Sequence, residues 1–276
     1  MNRILKKEFL SENVFRMIVE SPRIAQSRKA GNFVIVRLDE GGERIPLTVA
    51  DADVEKGTIT LIVQKVGCTS AKMSKLSEGD FIQDIVGPLG QPTHIENFGT
   101  VLCAGGGVGI APLYPIVQAL KRAGNKVITI LAARSADLVI LEKEMREFSD
   151  EVIVMTDDGS YGKKGLVTQG MEEVLQREKV DQSVVVGPAV MMKFAALTTQ
   201  KYNVPTMASL NTIMVDGTGM CGACRCSVGD KTQFVCVDGP EFDAHQINFD
   251  EMIQRLNAYK EVEQAAYQQY LQNENN

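Results

Sequence analysis

The pattern of apolar and polar positions changes near residue 100. Before that point, short apolar or alternating runs are separated by turn-forming groups such as SPR, DEGGE and EKG. Alternation with a period of two is typical of β-strands, and about six short strands at this spacing predict a small antiparallel barrel. The predicted strands are RILKKEF, VFRMIVE, FVIVRL, IPLTVA, TITLIVQKV and FIQDIV, and one short helix is predicted at TSAKMSKLSEG.

After residue 100, strand-like and helix-like segments alternate. The strands are predicted at TVLCAG, KVITILAARS, EVIVMT and SVVVGP, and the helices at the start of IAPL and at ADLVILEKEMREF, GLVTQGMEEVLQRE and AVMMKFAALTTQKY. This alternation predicts a doubly wound parallel sheet. The fold class that we expect is therefore a β barrel plus an α/β domain, followed by a small cysteine-rich segment.

The last stretch of the chain has apolar residues at helical spacing. Met252, Leu256, Tyr259 and Val262 predict an amphipathic helix, for which packing on its own domain is favoured over docking to a partner. Residues 272–276 are predicted to be disordered. The expected domains are a barrel at 1–97, a nucleotide-binding domain at 98–208, a cysteine segment at 209–248, and a C-terminal helix and tail at 249–276.

Composition and charge exclude several classes of function. The 276 residues are 44% hydrophobic and 23% charged, with a net charge of −6, which argues against a general polyanion binder. Apolar runs fall short of the ~20 residues that span a bilayer, and the N-terminus lacks the apolar core of a signal peptide. We therefore expect a cytoplasmic protein, in which clustered cysteines indicate a metal site rather than disulfides.

A glycine cluster follows the first strand of the predicted parallel sheet. Gly105, Gly106, Gly107 and Gly109 stand between that strand and a helix. Glycines let the backbone approach a pyrophosphate, whose charge the helix N-terminus favours. The alternative is a tight turn without a ligand, but the position in a βαβ unit favours nucleotide binding. The spacing differs from the GxGxxG of ordinary dehydrogenases.

Two later strand ends are expected to face the same crevice, because ligands bind at the carboxyl ends of parallel strands. These ends are AARS, with Ala133 and Arg134, and TDDGSYG, with Asp157 and Asp158. The two acids would repel the 2′-phosphate of NADP and could accept hydrogen bonds from ribose, whereas Arg134 favours a phosphate. We favour NAD, with a solvated loop as the alternative role of the acids.

The predicted barrel contains two groups of candidate flavin ligands. Arg44 could pair with a phosphate, and the Thr48 hydroxyl could reach a ring nitrogen. Gly67, Thr69 and Ser70 precede or begin the short helix, where hydroxyls and amides could hold a second phosphate. Each residue also has an ordinary structural interpretation, as a strand-end arginine or a helix cap.

Four of the six cysteines lie between residues 221 and 236. Plant-type [2Fe–2S] ferredoxins use C-x4-C-x2-C…C, and here Cys221, Cys224 and Cys236 match the last three positions while Asp216 stands at the first. Two alternatives remain open, namely Cys226 as the fourth ligand of the same cluster and a structural zinc bound by the four cysteines. The [2Fe–2S] cluster with Asp216 is the favoured interpretation.

The order of these motifs resembles a known family. R-x-P-[aliphatic]-[Ser/Thr] in a barrel, followed by Gly-Gly-Gly-x-Gly-x-Ala-Pro, resembles the ferredoxin–NADP reductase superfamily. With the cysteine segment, about residues 1–250 resemble the electron-transfer subunit of NAD-dependent dihydroorotate dehydrogenase. They are still more similar to the small subunit family of NADH-dependent reduced ferredoxin:NADP oxidoreductase, also described as a sulfide dehydrogenase subunit. Dihydroorotate subunits have cysteine where this chain has Asp216, and the resemblance to the reductase family implies an aspartate ligand there.

The resemblance implies where each cofactor binds. FAD would lie between the barrel and the nucleotide domain, and a nicotinamide dinucleotide would lie on the glycine turn. The implied flavin ligands are Arg44, Pro46, Leu47, Thr48, Ile62, Val63 and Gln64. The implied ligands of the flavin pyrophosphate are Gly67, Thr69 and Ser70. The implied nicotinamide-cofactor ligands are Gly105, Gly106, Gly107, Val108 and Gly109.

Together these cofactors convert two-electron hydride transfer into one-electron transfer. We expect an electron-transfer subunit that handles NAD(H), FAD and a [2Fe–2S] cluster, with no side chain assigned to acid–base or nucleophilic catalysis. The resemblance implies a larger flavin and iron–sulfur subunit as partner, ferredoxin reached through the complex, and electron bifurcation; nucleic acid and membranes are not expected partners. The alternatives are an electron-transfer subunit of dihydroorotate dehydrogenase and a zinc-stabilised dinucleotide sensor.

Overall fold

The computed structural model describes residues 2–274, and its first half is an antiparallel barrel. Adjacent strands follow the order β6–β1–β2–β5–β4–β3–β7, and every pair is antiparallel. The expected antiparallel barrel is thereby confirmed. Its strands are β1 (Asn2–Ser11), β2 (Val14–Glu20), β3 (Phe33–Arg37), β4 (Ile45–Asp53), β5 (Thr58–Gln64), β6 (Phe81–Ile82) and β7 (Asp84–Leu89).

Three local features of the barrel differ from the sequence prediction. The single strand expected at FIQDIV is divided, and its parts pair with opposite ends of the sheet, β6 with β1 and β7 with β3. This division nearly closes the barrel. A helix, α1 (Pro22–Ser27), replaces the turn expected at SPR, because proline fits the first turn of a helix, where its missing N–H is not needed. The one helix predicted in the barrel is α2 (Cys68–Met73), which is shorter than the predicted stretch TSAKMSKLSEG.

The second half is a parallel sheet with helices on both faces, as expected. Its strands follow the order β11–β10–β9–β8–β12–β13–β16, in which β16 is antiparallel. Helices α3 and α4 pack on one face and α5 and α6 on the other. The elements are β8 (Thr100–Gly106), α3 (Ile110–Arg122), β9 (Lys126–Ala133), α4 (Glu142–Phe148), β10 (Glu151–Thr156), β11 (Lys163–Lys164), α5 (Val167–Arg177), β12 (Gln182–Val186), α6 (Ala189–Lys201) and β13 (Thr206–Ser209).

The cysteine segment is attached to the parallel sheet by its own last strand. Its hairpin of β14 (Arg225–Val228) and β15 (Lys231–Phe234) is followed by α7 (Val235–Asp238) and β16 (Glu241–Asp243). The last strand pairs with β13, so that Glu241 stands opposite Ser209. The segment therefore shares backbone hydrogen bonds and a core with the nucleotide-binding sheet.

The C-terminal region forms two helices instead of the single amphipathic helix that was predicted. These are α8 (Phe249–Leu256), which buries Phe249 and Met252, and α9 (Lys260–Glu274). The preferred interpretation, packing on its own domain, is correct for α8 but wrong for α9, most of whose described side chains are exposed. Residues 272–274, expected to be disordered, belong to α9, and residues 275–276 lie outside the described residues. In the described chain, no helix is long and apolar enough to cross a membrane.

Candidate functional site

A cleft of about 1980 Å³ separates the barrel from the parallel sheet. Pockets for single small ligands usually measure about 300–1000 Å³, so this cleft has room for more than one nucleotide. Its walls come from β4, β5 and the start of α2 on one side, and from the carboxyl ends of the parallel strands on the other. The position agrees with the rule that ligands of open α/β sheets bind at those strand ends.

The barrel wall contains every residue that the sequence predicted for the flavin. The motifs RIPLT (44–48) and IVQ (62–64) lie close together, because β4 and β5 are antiparallel neighbours in the barrel. Both motifs therefore reach the same cleft, together with the start of α2. The predicted residues in this wall are Arg44, Pro46, Leu47, Thr48, Ile62, Val63, Gln64, Gly67, Thr69 and Ser70.

The polar side chains of this wall already have protein partners. Arg44 Nε donates to the Val215 carbonyl at 2.7 Å, which ties the barrel to the loop before the cysteines. The Thr69 hydroxyl donates to the Glu43 carboxylate. Ser70 caps its own helix, since its Oγ accepts from the Gly67 amide at 3.0 Å. Phosphate binding by these side chains stays a prediction.

The glycines of the turn serve different purposes. A Cβ on Gly106 would lie 2.2 Å from Met191 Sδ, and one on Gly109 would lie 2.6 Å from the Val186 carbonyl, so these glycines permit close packing. Gly107 instead has φ +55°, and no described atom lies within 4 Å of its Cβ position. Gly107 thus leaves backbone open to the cleft, as a bound pyrophosphate requires. Gly105 packs behind the turn against Ile110.

The later strand ends divide between the cleft and a turn. Ala133, Arg134 and Asp157 line the cleft, as does Val108 of the glycine turn. Asp158 instead accepts from the Ser160 hydroxyl at 2.6 Å and from its amide at 2.9 Å. These bonds lower the pKa of Asp158, with the Ser160 hydroxyl as the largest cause. The solvated-loop alternative therefore describes Asp158 better than Asp157.

The residues favoured as cluster ligands lie in the cysteine segment as two pairs, Cys224 with Cys236 and Asp216 with Cys221. Cys224 Sγ and Cys236 Sγ are 3.3 Å apart, too far for a disulfide, and both side chains are buried. The Cys236 amide donates to Cys224 Sγ at 3.5 Å. Asp216 accepts from the Cys221 amide at 3.0 Å and from the Thr218 amide at 2.8 Å. Thiols with a backbone amide and a carboxylate nearby are a donor set that suits an iron–sulfur cluster.

The cysteine thiols must lose their protons when a metal binds. Burial raises the pKa of Cys236 to about 12, and the neighbouring Cys224 thiol adds to the effect. Hydrogen bonds from Thr218 and Cys221 lower the pKa of Asp216. Within residues 2–274, no three metal-binding side chains converge closely enough to hold a metal ion as they stand. Metal binding would thus release thiol protons and require the ligand side chains to move closer together.

Cys226 lies apart from this group. Its Sγ contacts the Ser227 carbonyl at 3.8 Å, and its charged neighbours are Glu251 and Arg255, which belong to α8. Burial raises the pKa of Cys226 to about 11. This environment favours a packing role over metal ligation. Cys103 is likewise fully buried in β8, and burial raises the pKa of its thiol.

Helices α5, α6 and α9 and the segment after β13 also line the cleft, and none of them was predicted from the sequence to do so. The segment from Ser209 to Val215 follows β13 and crosses toward the barrel, and the first turns of α9 line the opposite rim. The Thr212 hydroxyl is buried and, among the described residues, lacks a hydrogen-bond partner, as expected where a ligand is to bind. Recognition of Thr206–Ser209 as a strand end would have identified the segment after β13, whereas α9 carries no sequence signal for the cleft.

Fold and site together define an oxidoreductase that transfers electrons between a nicotinamide dinucleotide, FAD and an iron–sulfur cluster. The profile of the oxidoreductase NAD-binding domain matches residues 104–196. The profile of the iron–sulfur cluster binding domain of dihydroorotate dehydrogenase B matches residues 211–248. The chain belongs to the family of dihydroorotate dehydrogenase B electron transfer subunits and their homologues. The relatives are named as electron transfer subunits, that is, as parts of a complex.

Individual relatives cover almost the whole chain. A dihydroorotate dehydrogenase B (NAD(+)) electron transfer subunit homolog of Thermotoga maritima is 49% identical over 271 residues, which are 98% of this chain and 96% of that protein. The electron transfer subunit of Geobacillus thermodenitrificans is 31% identical over 253 residues, 88% of this chain and 96% of that protein.

Solved structures show the same fold. A structure of NADH-dependent reduced ferredoxin-NADP oxidoreductase, described for flavin-based electron bifurcation, superimposes with a TM-score of 0.93 at 49% identity and covers 98% of both chains. Phthalate dioxygenase reductase, at 16% identity, has a TM-score of 0.60 and covers 86% of this chain and 94% of its own. At that identity, the second comparison supports the fold alone.

Proposed function

We propose that this chain is the NAD(H)-side subunit of a bifurcating NADH-dependent reduced ferredoxin:NADP oxidoreductase. The observation that carries the proposal is the bond from Arg44, in the flavin wall, to Val215, beside the predicted ligand Asp216. This bond joins the flavin wall to the loop that contains Asp216, here called the cluster loop. The partner would be a larger flavin and iron–sulfur subunit that handles NADP and ferredoxin, and the complex would be cytoplasmic.

When bound, a flavin accepts two electrons as hydride from a nicotinamide and releases them singly to an iron–sulfur centre. The chain's own residues provide the geometry for this exchange. The open backbone at Gly107 receives the dinucleotide phosphates, while Pro46 and Leu47 give the flavin wall an apolar surface that excludes water. Arg44 holds the cluster loop against this wall, which keeps the electron path short.

We propose a [2Fe–2S] cluster bound by Asp216, Cys221, Cys224 and Cys236. The support is that Asp216 accepts from the Cys221 amide, that Cys224 Sγ and Cys236 Sγ lie 3.3 Å apart, and that Cys226 has a separate environment. An Asp216→Cys variant should keep the cluster but change its visible spectrum and reduction potential, because thiolate is a softer ligand than carboxylate. An unchanged spectrum and potential, together with loss of the cluster in Cys226→Ser, would show that Cys226 is the fourth ligand.

The proposed function is tested by an anaerobic visible spectrum of the chain before and after NADH. Flavin bands with a broad iron–sulfur shoulder, bleached by NADH, are the expected result. A colourless protein that contains zinc and takes up neither FAD nor iron and sulfide would instead support the dinucleotide sensor. Bleaching by NADPH but not NADH would contradict the assignment to NAD(H).

A second candidate is the electron transfer subunit of an NAD-dependent dihydroorotate dehydrogenase. The family profile at residues 211–248 and the names of several relatives favour it. Asp216 argues against it, because the resemblance implies a cysteine there in the dihydroorotate subunits. Purification of the native complex separates the two proposals, since one predicts oxidation of dihydroorotate by the partner subunit and the other predicts reduction of NADP with ferredoxin.

A further inference from the structure

One face of α9 lies along the rim of the cofactor cleft. Lys260, Glu263, Gln264 and Tyr267 line the cleft and recur every three or four residues, so they share one side of the helix. One turn later, the Lys75 ammonium lies 5.4 Å from the centroid of the Tyr270 ring. Since Lys75 follows α2 in sequence, this contact holds α9 beside the barrel, although most of its described side chains are exposed.

The barrel presents an exposed apolar side chain just before α2, the barrel helix that α9 contacts. Val66, just before α2, lines the cleft and is 68% exposed. Tyr267 of α9 lines the cleft too and is half-buried. A valine and a tyrosine at one end of a nucleotide cleft offer apolar area to a planar ring, and stacking on an aromatic side chain suits any base.

The shape of FAD indicates which ring would lie there. Its flavin ring and its adenine are at opposite ends, with the pyrophosphate between them. If the ring lies on β4 and β5 and the pyrophosphate at Thr69 and Ser70, then the adenine extends past the start of α2. That region of the cleft is bounded by Val66 and α9.

We infer that Tyr267, opposite Val66, forms the platform for the adenine of FAD. The C-terminal helix then belongs to the flavin site and completes it from outside the barrel. This role explains why a mostly exposed helix is held at the cleft rim by a contact with Lys75. The inference rests on the flavin site of the proposed function and adds a determinant of selectivity for FAD over FMN, which lacks the adenine.

The test compares the binding of FAD and FMN to the flavin-free full chain by quenching of flavin fluorescence. Tyr267→Ala should weaken FAD binding roughly tenfold, equivalent to about 1.4 kcal/mol and within the range of base stacking on an aromatic ring. FMN binding should not change. Tyr267→Phe should retain FAD affinity. Tyr259→Ala is the matched control, because Tyr259 precedes the same helix and is 60% exposed.

Three results would overturn the inference. FAD affinity unchanged in Tyr267→Ala would exclude the platform. Equal weakening of FAD and FMN would assign the effect to the fold of the site. A Tyr259→Ala variant as weak as Tyr267→Ala would assign it to general disturbance of α9. If Tyr267→Ala does not fold, Tyr267→Leu in the full chain, which keeps the apolar volume without the aromatic ring, gives the same comparison of FAD with FMN. Failure of the wild-type chain to bind FAD would instead contradict the proposed function.

Discussion

The two flanks of the cysteine segment differ in how they are held. The first flank, residues 215–221, is an exposed loop whose Met220 is 90% exposed, and Arg44 anchors it to the barrel. The second flank, residues 234–243, is more deeply buried, with Val235 and Cys236 in the core, and its β16 pairs within the parallel sheet. The predicted cluster therefore has two ligands on an outer loop and Cys224 and Cys236 in the core. We expect electrons to enter or leave through the outer loop, whereas the inner flank supplies stability.

The largest effect is expected from a substitution in the buried half of the predicted cluster site. Cys236→Ser should remove nearly all bound iron and sulfide, because the side chain is buried beside Cys224 and a hydroxyl is a poor substitute for thiolate. The matched control, Cys226→Ser, should keep the cluster. Iron and sulfide analysis measures the loss, and FAD content shows whether the rest of the chain is folded. Retention of iron in Cys236→Ser, together with loss of iron in Cys226→Ser, would show that Cys226 and not Cys236 is the ligand.

A second prediction concerns a buried carboxyl group in the inner flank. Burial raises the pKa of Glu241 from 4.5 to about 7, although the Thr93 hydroxyl donates to its Oε1 at 2.6 Å. The folded state therefore holds a proton that the unfolded chain has lost, and stability falls as pH rises from 4.5 through about 7. Glu241→Gln should remove this loss and stabilise the chain at pH 8, by on the order of 3 kcal/mol.

Denaturant unfolding of wild type and Glu241→Gln at pH 4.5 and pH 8 measures this difference. The two proteins should be nearly equal in stability at the lower pH, where both carry a neutral side chain. A gain of the same size at both pH values would show that burial of charge is not the cause.

The smallest effect is expected in the outer flank. Arg44→Ala removes the bond to the Val215 carbonyl but leaves the inner flank intact, so the free energy of unfolding should fall by only about 1 kcal/mol. Release of iron to a chelator should become several-fold faster, even in flavin-free protein. Arg44→Lys is the control that keeps the positive charge but lacks the guanidinium Nε that donates to Val215. A change in FAD affinity without faster iron release would show that Arg44 acts on the flavin alone.

The sequence predicted architecture better than contacts because architecture depends on local pattern. Alternating strands and the change to βαβ periodicity specified the barrel and the parallel sheet. Helix α1 and the break between α8 and α9 were missed, since Pro22 and the stretch from Asn257 to Tyr259 carry only weak local signals. The position of the glycine turn was predicted correctly. The sequence could not distinguish the roles of Gly106 and Gly107, because these depend on which atoms surround their Cβ positions in the folded chain.

What the sequence by itself determined is the order of the cofactor motifs and the spacing of Asp216 with the cysteines, because both are written along the chain. Tertiary structure alone decided that Arg44 reaches the cluster loop, that Cys226 faces α8, and that α9 returns to the barrel. Each of these contacts joins residues far apart in sequence or depends on the side of an element a residue occupies. Local periodicity contains no information about such distances, which packing of the two sheets establishes.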